Sequence, residues 1–288
     1  MARTVAELDH RVTIVLANGS RWAICPTDEG AAAVVRRLSG VMGLQVENGP
    51  ARELRVMSGL EQAEQLPLEL VESEAGGVGY CSAVLRLPVV HPDASVVQMY
   101  CLASALALCL QGTRGVLLHG ALAEREGTGV ILAGPSGAGK TTASLRLSPP
   151  WRSLSDDTTL VVRDTDGRYW AHPWPTWSRF FFNSAGTSWD VQHAVSLKGI
   201  FFLKPSPVDR CEVVSGGEAT CYLLGLAEQA SLGVLKDIDR TEARNARLRR
   251  LDAVCGLARS VPAYRLHTTR EGAFWEAIER VLPMGTVE

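Results

Sequence analysis

The chain has 288 residues, 46% hydrophobic and 21% charged, enough apolar material for a sizeable core without disulfides or structural metals. Its 29 Lys and Arg against 31 Asp and Glu leave a formal net charge of -2, which removes any global electrostatic case for nucleic acid or an acidic membrane surface as partner. Seven cysteines, at 25, 81, 101, 109, 211, 221 and 255, form no CxxC pair. Such an odd, unpatterned set predicts reduced thiols in a cytoplasmic protein and no zinc site.

Residues 1–9 already carry Arg3, Glu7 and Asp9 and have no apolar run, so a secretory signal is not expected. Arg11–Leu16 and Arg21–Cys25 are short β-type runs around Ala17-Asn18-Gly19-Ser20, and Asn-Gly is a strong hairpin signal. Glu29–Met42 has helical spacing, with Ala33, Val34, Leu38 and Val41 expected on the apolar face. Arg52–Met57 and Tyr80–Val90 read as further strands, with residues 72–79 as a connection. Met99–Leu110 is uncharged, but a membrane span needs about 20 apolar residues. It predicts a buried helix of roughly four turns, with Asp93 or Ser95 available as cap.

Gly115–His119 and Gly129–Ala133 are apolar runs typical of buried strands, joined by the polar turn Glu124–Gly129. A short helix is expected to about Leu147, then a hairpin of Thr159–Arg163 and Arg168–His172, and a buried strand at Lys198–Leu203. Glu218–Gln229, Arg240–Ala258 and Glu271–Val281 complete the chain as helices.

Between the second apolar strand and its helix lie Gly134, Pro135, Ser136, Gly137, Ala138, Gly139, Lys140, Thr141 and Thr142, which match G-x-x-x-x-G-K-[ST]. Glycines at these places let backbone N–H groups turn inward as a nest for phosphate oxygens. Lys140 would reach the β- and γ-phosphates of ATP, and the Thr141 hydroxyl would ligate Mg²⁺. Asp156-Asp157 follows sixteen residues after Lys140. One carboxylate could hold the metal and the other accept a proton from an attacking hydroxyl, unless the pair simply caps a turn. His119 ends the preceding predicted strand and could stand near the phosphates, or be a structural histidine.

Residues 170–189 hold Trp170, Trp174, Trp177, Trp189 and Phe180–Phe182, with Pro173 and Pro175 arguing for loop or irregular strand. They could wall a substrate site or pack in the core. Arg179 within this stretch could neutralise a transferring phosphate, or be structural. The run Arg240–Arg250 reads most simply as a solvated helix face, with a docking site for an acidic peptide as the other reading.

His119-Gly120, Gly129-Val130, the loop 134–141 and Leu154-Ser155-Asp156-Asp157, in that order, resemble the catalytic domain of the HPr kinase/phosphorylase family over roughly residues 113–283. That family shares its core with phosphoenolpyruvate carboxykinase. The resemblance implies an α/β fold, a P-loop core with a mixed sheet over 113–288, preceded by a small α+β region over 1–112. It implies an ATP- and Mg²⁺-dependent kinase acting on a serine-type hydroxyl of a peptide or protein. Carried across, His119 orients or charges the phosphate, Asp156 is the base and Asp157 the metal carboxylate, an assignment that could be reversed.

The later signature loop of the bifunctional enzymes is not found here. The chain looks closer to HPr-kinase-like proteins of peptide-modification systems, which include the lasso-peptide precursor kinases and, from Pro175-Thr176-Trp177-Ser178-Arg179-Phe180 and Ser188-Trp189-Asp190-Val191-Gln192, the SynChlorMet cassette ScmC proteins. Other peptide-modifying enzymes are then expected partners, self-association is compatible, and nucleic acid and membrane are not expected. A small-molecule kinase and a non-catalytic ATP-binding accessory protein are the rival readings.

Overall fold

The computed structural model describes residues 11–47, 49–60, 68–72, 80–88, 95–111, 114–135, 137–177, 188–231 and 240–282. The chain is mixed α/β and divides into two compact units. The first comprises Met1–Gly115, Pro175–Gln192 and Ser231–Arg249; the second comprises Val116–Trp174, His193–Ala230 and Arg250–Glu288.

In the first unit, β1 (Val12–Val15) and β2 (Arg21–Pro26) pair antiparallel as expected. Their turn is closed by Leu16 N–H donating to Ser20 O at 3.0 Å, with Gly19 at φ 79°. The sheet continues with β3 (Arg52–Leu60) and β5 (Tyr80–Pro88), both parallel to β2, and ends on β4 (Leu68–Glu72), antiparallel to β5. β4 was not foreseen in the sequence. Helix α1 spans Glu29–Met42, capped by Asp28, whose side chain accepts from Ala31 N, and stopped by left-handed Gly43. Its buried residues are Ala31, Ala32, Val34, Val35, Leu38 and Met42. The apolar face is therefore turned from the expected one: Ala33 and Val41 sit at its margin because Val35 and Met42 supply larger side chains to bury. Helix α2 (Ser95–Gln111) is buried from Cys101 to Gln111 on all sides, as its uniform apolarity demands. No helix among the described residues is long and apolar enough to cross a membrane.

The second unit is built on an eight-stranded mixed sheet. Its strands are β6 (Gly115–Arg125), β7 (Thr128–Ala133), β8 (Arg152–Ser155), β9 (Thr158–Arg163), β10 (Tyr169–Trp174), β11 (Val195–Pro205), β12 (Arg210–Val213) and β13 (Ala263–Thr268). The order is β10-β9-β6-β7-β11-β13-β12, with β8 on β6 and an extra β10–β11 pairing. β7, β11 and β13 are mutually parallel, so their carboxyl ends lie together. One face carries α4 (Gly216–Ser231) and the end of α5 (Arg240–Ser260), through Leu118, Leu122, Ile131, Phe202, Leu223, Val254 and Leu257. The other carries α3 (Lys140–Arg146) and α6 (Phe274–Val281), through Ala121, Ala123, Leu132, Ala143, Phe201, Phe274 and Ile278. Strand alternation divides the two sets: even-numbered β6 residues face α4 and α5, odd-numbered ones face α3 and α6.

Candidate functional site

The glycine-rich loop begins where β7 ends, at the carboxyl edge of the parallel strands. Gly137 and Gly139 have φ of 81° and 91°, a conformation costing an ordinary L-residue roughly 1–2 kcal/mol. Gly139 is also the residue from which α3 starts. Lys140, the first residue of that helix, is 5% exposed, and its ammonium donates to Gly134 O at 3.0 Å and Pro135 O at 3.2 Å. The side chain thus folds back over the loop that precedes it. Burial pushes the Lys140 amine below its ordinary pKa, and Asp157 opposes that effect.

The hairpin register brings His119 to this loop. Gly120 pairs with Ala133 across the antiparallel β6–β7 ladder, so one step back sets His119 across from Gly134. As an odd-numbered residue of β6 it belongs to the face that carries α3. The expectation that His119 ends its strand is corrected: β6 runs on to Arg125, because Ala121 and Ala123 remain buried under α3 and α6.

Asp156 and Asp157 form the turn between β8 and β9. β8 lies antiparallel to β6 with Ser155 against Leu122, which directs this turn toward His119. The Thr159 hydroxyl donates to Gly120 O at 2.8 Å in a fully buried bond that fixes the turn on β6. His119 Nδ1 then lies 3.4 Å from Asp157 Oδ2. Burial holds the His119 pKa below its ordinary 6.5; Asp157 works against this and Lys140 adds to it. The ring is accordingly neutral at physiological pH and turns Nδ1 toward the carboxylate. Asp156 is buried, at 6% exposure, whereas the Asp157 side chain is 30% exposed.

The structure therefore joins His119, Lys140 and Asp157 beside the glycine-rich loop. Thr141 and Thr142 are exposed on the first turn of α3. Ser136 and Arg179 lie outside the described residues, as do Phe180–Phe182. Trp174 and Trp189 are buried, and Pro173 stands within β10 opposite Thr159, so this part of the aromatic segment is strand and core. Among the described residues no group of three or more His, Cys, Asp or Glu side chains is placed to hold a metal.

Two supports were not foreseen from the sequence. Thr159 is one. The other is Arg146 at the end of α3, which donates to Thr269 O at 2.8 Å and Gly272 O at 2.5 Å. The same loop is held by Asp209, which accepts from Thr269 N at 2.6 Å and Thr269 Oγ1 at 3.1 Å. No residue pattern announces such contacts, because their partners lie 39 to 126 residues apart in the chain.

The depressed His119 pKa has a thermodynamic consequence. Between its folded value and 6.5 the unfolded chain binds more protons, so stability falls as pH drops through that window and levels off below it. Replacing His119 with Asn is expected to flatten that part of the profile, measured as the wild-type minus variant difference in urea unfolding between pH 5 and 7.5. An unchanged difference would show the ring to titrate normally.

The fold and the site together define a mixed α/β protein whose second unit gathers a buried lysine, a glycine-rich loop and a His–Asp contact at the ends of parallel strands. The family described as SynChlorMet cassette protein ScmC matches residues 86–283, more than half of the chain, and the protein belongs to that family. No curated protein matches it at a significant level.

Proposed function

We propose that this ScmC family member is an ATP- and Mg²⁺-dependent kinase with a P-loop core of the HPr kinase type, transferring the γ-phosphate to a serine-type hydroxyl of a peptide or protein. The observation that carries the reading is Lys140, a buried ammonium held on the carbonyls of its own glycine-rich loop with Asp157 and His119 beside it. A desolvated cation at the mouth of a loop with two left-handed glycines suits a polyphosphate, whose oxygens would replace the carbonyls as its acceptors.

The exposed Thr141 hydroxyl is a hard oxygen donor of the kind Mg²⁺ takes, and the ion would neutralise charge on the β- and γ-phosphates. In the transfer the acceptor hydroxyl oxygen bonds to the γ-phosphorus while the bridging oxygen leaves with ADP and its bonding electrons. The hydroxyl proton passes to a carboxylate. We assign that role to Asp157, which is the more exposed of the pair and meets His119, rather than to Asp156, the base that the family resemblance implies. His119 orients the carboxylate through Nδ1. Asp156, buried behind it, holds the turn.

The family's description as a cassette protein supports an acceptor, or a working partner, among other proteins of the same cassette. The test is incubation of purified protein with γ-labelled Mg-ATP and candidate cassette peptides or small hydroxyl compounds. Labelled phosphoserine in a peptide is the expected result. Label confined to a small molecule would make it a small-molecule kinase. Binding of Mg-ATP with no transfer to any acceptor would leave the accessory-protein reading.

A further inference from the structure

We propose that the second unit carries another ligand site, a pocket for a small organic anion with an apolar body, at the end of the sheet remote from the glycine-rich loop. The cavity has a volume of about 350 Å³, within the range that holds small organic ligands. It opens where β10, β11 and β13 begin and where α5 and α6 end. Leu197 on its wall pairs with Gly129, five residues before Gly134. The pocket wall is therefore about 17 Å along the sheet from the proposed nucleotide site.

The lining chemistry selects the ligand class. Leu197, Val261, Pro262 and Leu282 make an apolar floor, with the rings of Tyr169 and Tyr264 beside it. Arg168 and Lys198 are the charged residues of the lining, and no carboxylate belongs to it. Arg168 has Asp166 at 3.9 Å, but both side chains are more than two thirds exposed, and such a pair is weak enough to yield to a ligand. Arg163 lies over the Tyr169 ring at 5.7 Å, and Arg259 is a further positive charge acting on that phenol, with Asp252 opposing.

A cation would find little here. The Val281 carbonyl already accepts from the Tyr264 hydroxyl, and the Pro262 carbonyl accepts from Ile200 N at 3.0 Å. An apolar body on the floor and a carboxylate or sulfonate between Arg168 and Lys198 satisfies both halves of the site.

The probe is 8-anilinonaphthalene-1-sulfonate, titrated by fluorescence into the full chain under conditions where the near-UV circular dichroism shows native packing. Saturable one-site binding is expected. It should weaken roughly tenfold in Arg168→Glu/Lys198→Glu and by a smaller factor in Arg168→Gln/Lys198→Gln, as loss of two nearby charges implies. The uncharged parent ring system, N-phenyl-1-naphthylamine, should bind far more weakly to wild type, a comparison that needs no variant. Lys140→Met should bind the sulfonate like wild type, since its loop is remote. Absence of saturable binding, equal affinity for the uncharged ring system, or wild-type affinity in both double variants would each overturn the proposal.

Discussion

Asp157→Asn is expected to slow phosphate transfer by about 10²–10⁴-fold, the range typical of removing a positioned general base. Mg-ATP binding, read from the thermal shift, should weaken much less, because Lys140 and the backbone amides of the loop remain. The loss should therefore fall mainly on kcat rather than on KM. The reason is local. Asp157 is held 3.4 Å from a neutral His119, on a turn pinned by the Thr159–Gly120 bond, and keeps enough exposure to meet an acceptor. Asp156→Asn tests the assignment within the pair. Its buried carboxylate should matter through the turn, so the melting temperature should move more than the chemical step does. A larger loss of kcat in Asp156→Asn than in Asp157→Asn would reverse the roles. Wild-type turnover in both would remove the mechanism.

The second large effect is expected at Lys140. At about a hundred times Kd, a nucleotide adds roughly 2.7 kcal/mol to the stability of the protein that binds it. For a unit of this size that is very roughly 5–10 °C in Tm. Lys140→Met should abolish this gain while leaving the ligand-free midpoint close to that of wild type. The ammonium is buried and its pKa is pushed down by that burial, so the fold gains little from carrying the charge. Its two carbonyl contacts offset part of the cost, and Pro135 O keeps the Ala138 N–H at 3.1 Å when the lysine is gone. A lysine kept for a ligand should behave in this way. If the variant instead melts far below wild type without ligand, Lys140 is a structural tie of the loop. If the variant keeps the nucleotide shift, the loop is not a nucleotide site and the kinase proposal falls.

Much of the framework was legible in local pattern. The Asn-Gly hairpin, the span of α1, the uniformly apolar α2 and the strand before the glycine-rich loop each follow from a period or a turn residue acting over a few positions. The candidate site was legible as a set of residue types: glycines at defined spacing, a lysine, an acidic pair and a histidine. β4, β8, β12 and β13 are not legible in this way. Ala263–Thr268 shows why, since it reads AYRLHT, with no clean alternation and two basic side chains. Its strand character comes from lying parallel to β11 and antiparallel to β12, and Arg265 and His267 are accommodated by Glu212 and Glu218 from neighbouring elements.

Sequence alone determined that this is a mixed α/β chain with a glycine-rich, lysine-bearing loop between a buried strand and a helix, because spacing and φ requirements act within a few residues. The tertiary structure decided which aspartate meets His119, where Lys140 points, and that residues 175–192 and 231–249 join the amino-terminal unit. Those outcomes depend on register. The pairing of Gly120 with Ala133, and of Ser155 with Leu122, sets which side chains share a face and an end of the sheet. A shift of one residue in either ladder would turn His119 or the acidic turn away from the loop, and no short-range pattern in the chain encodes that choice.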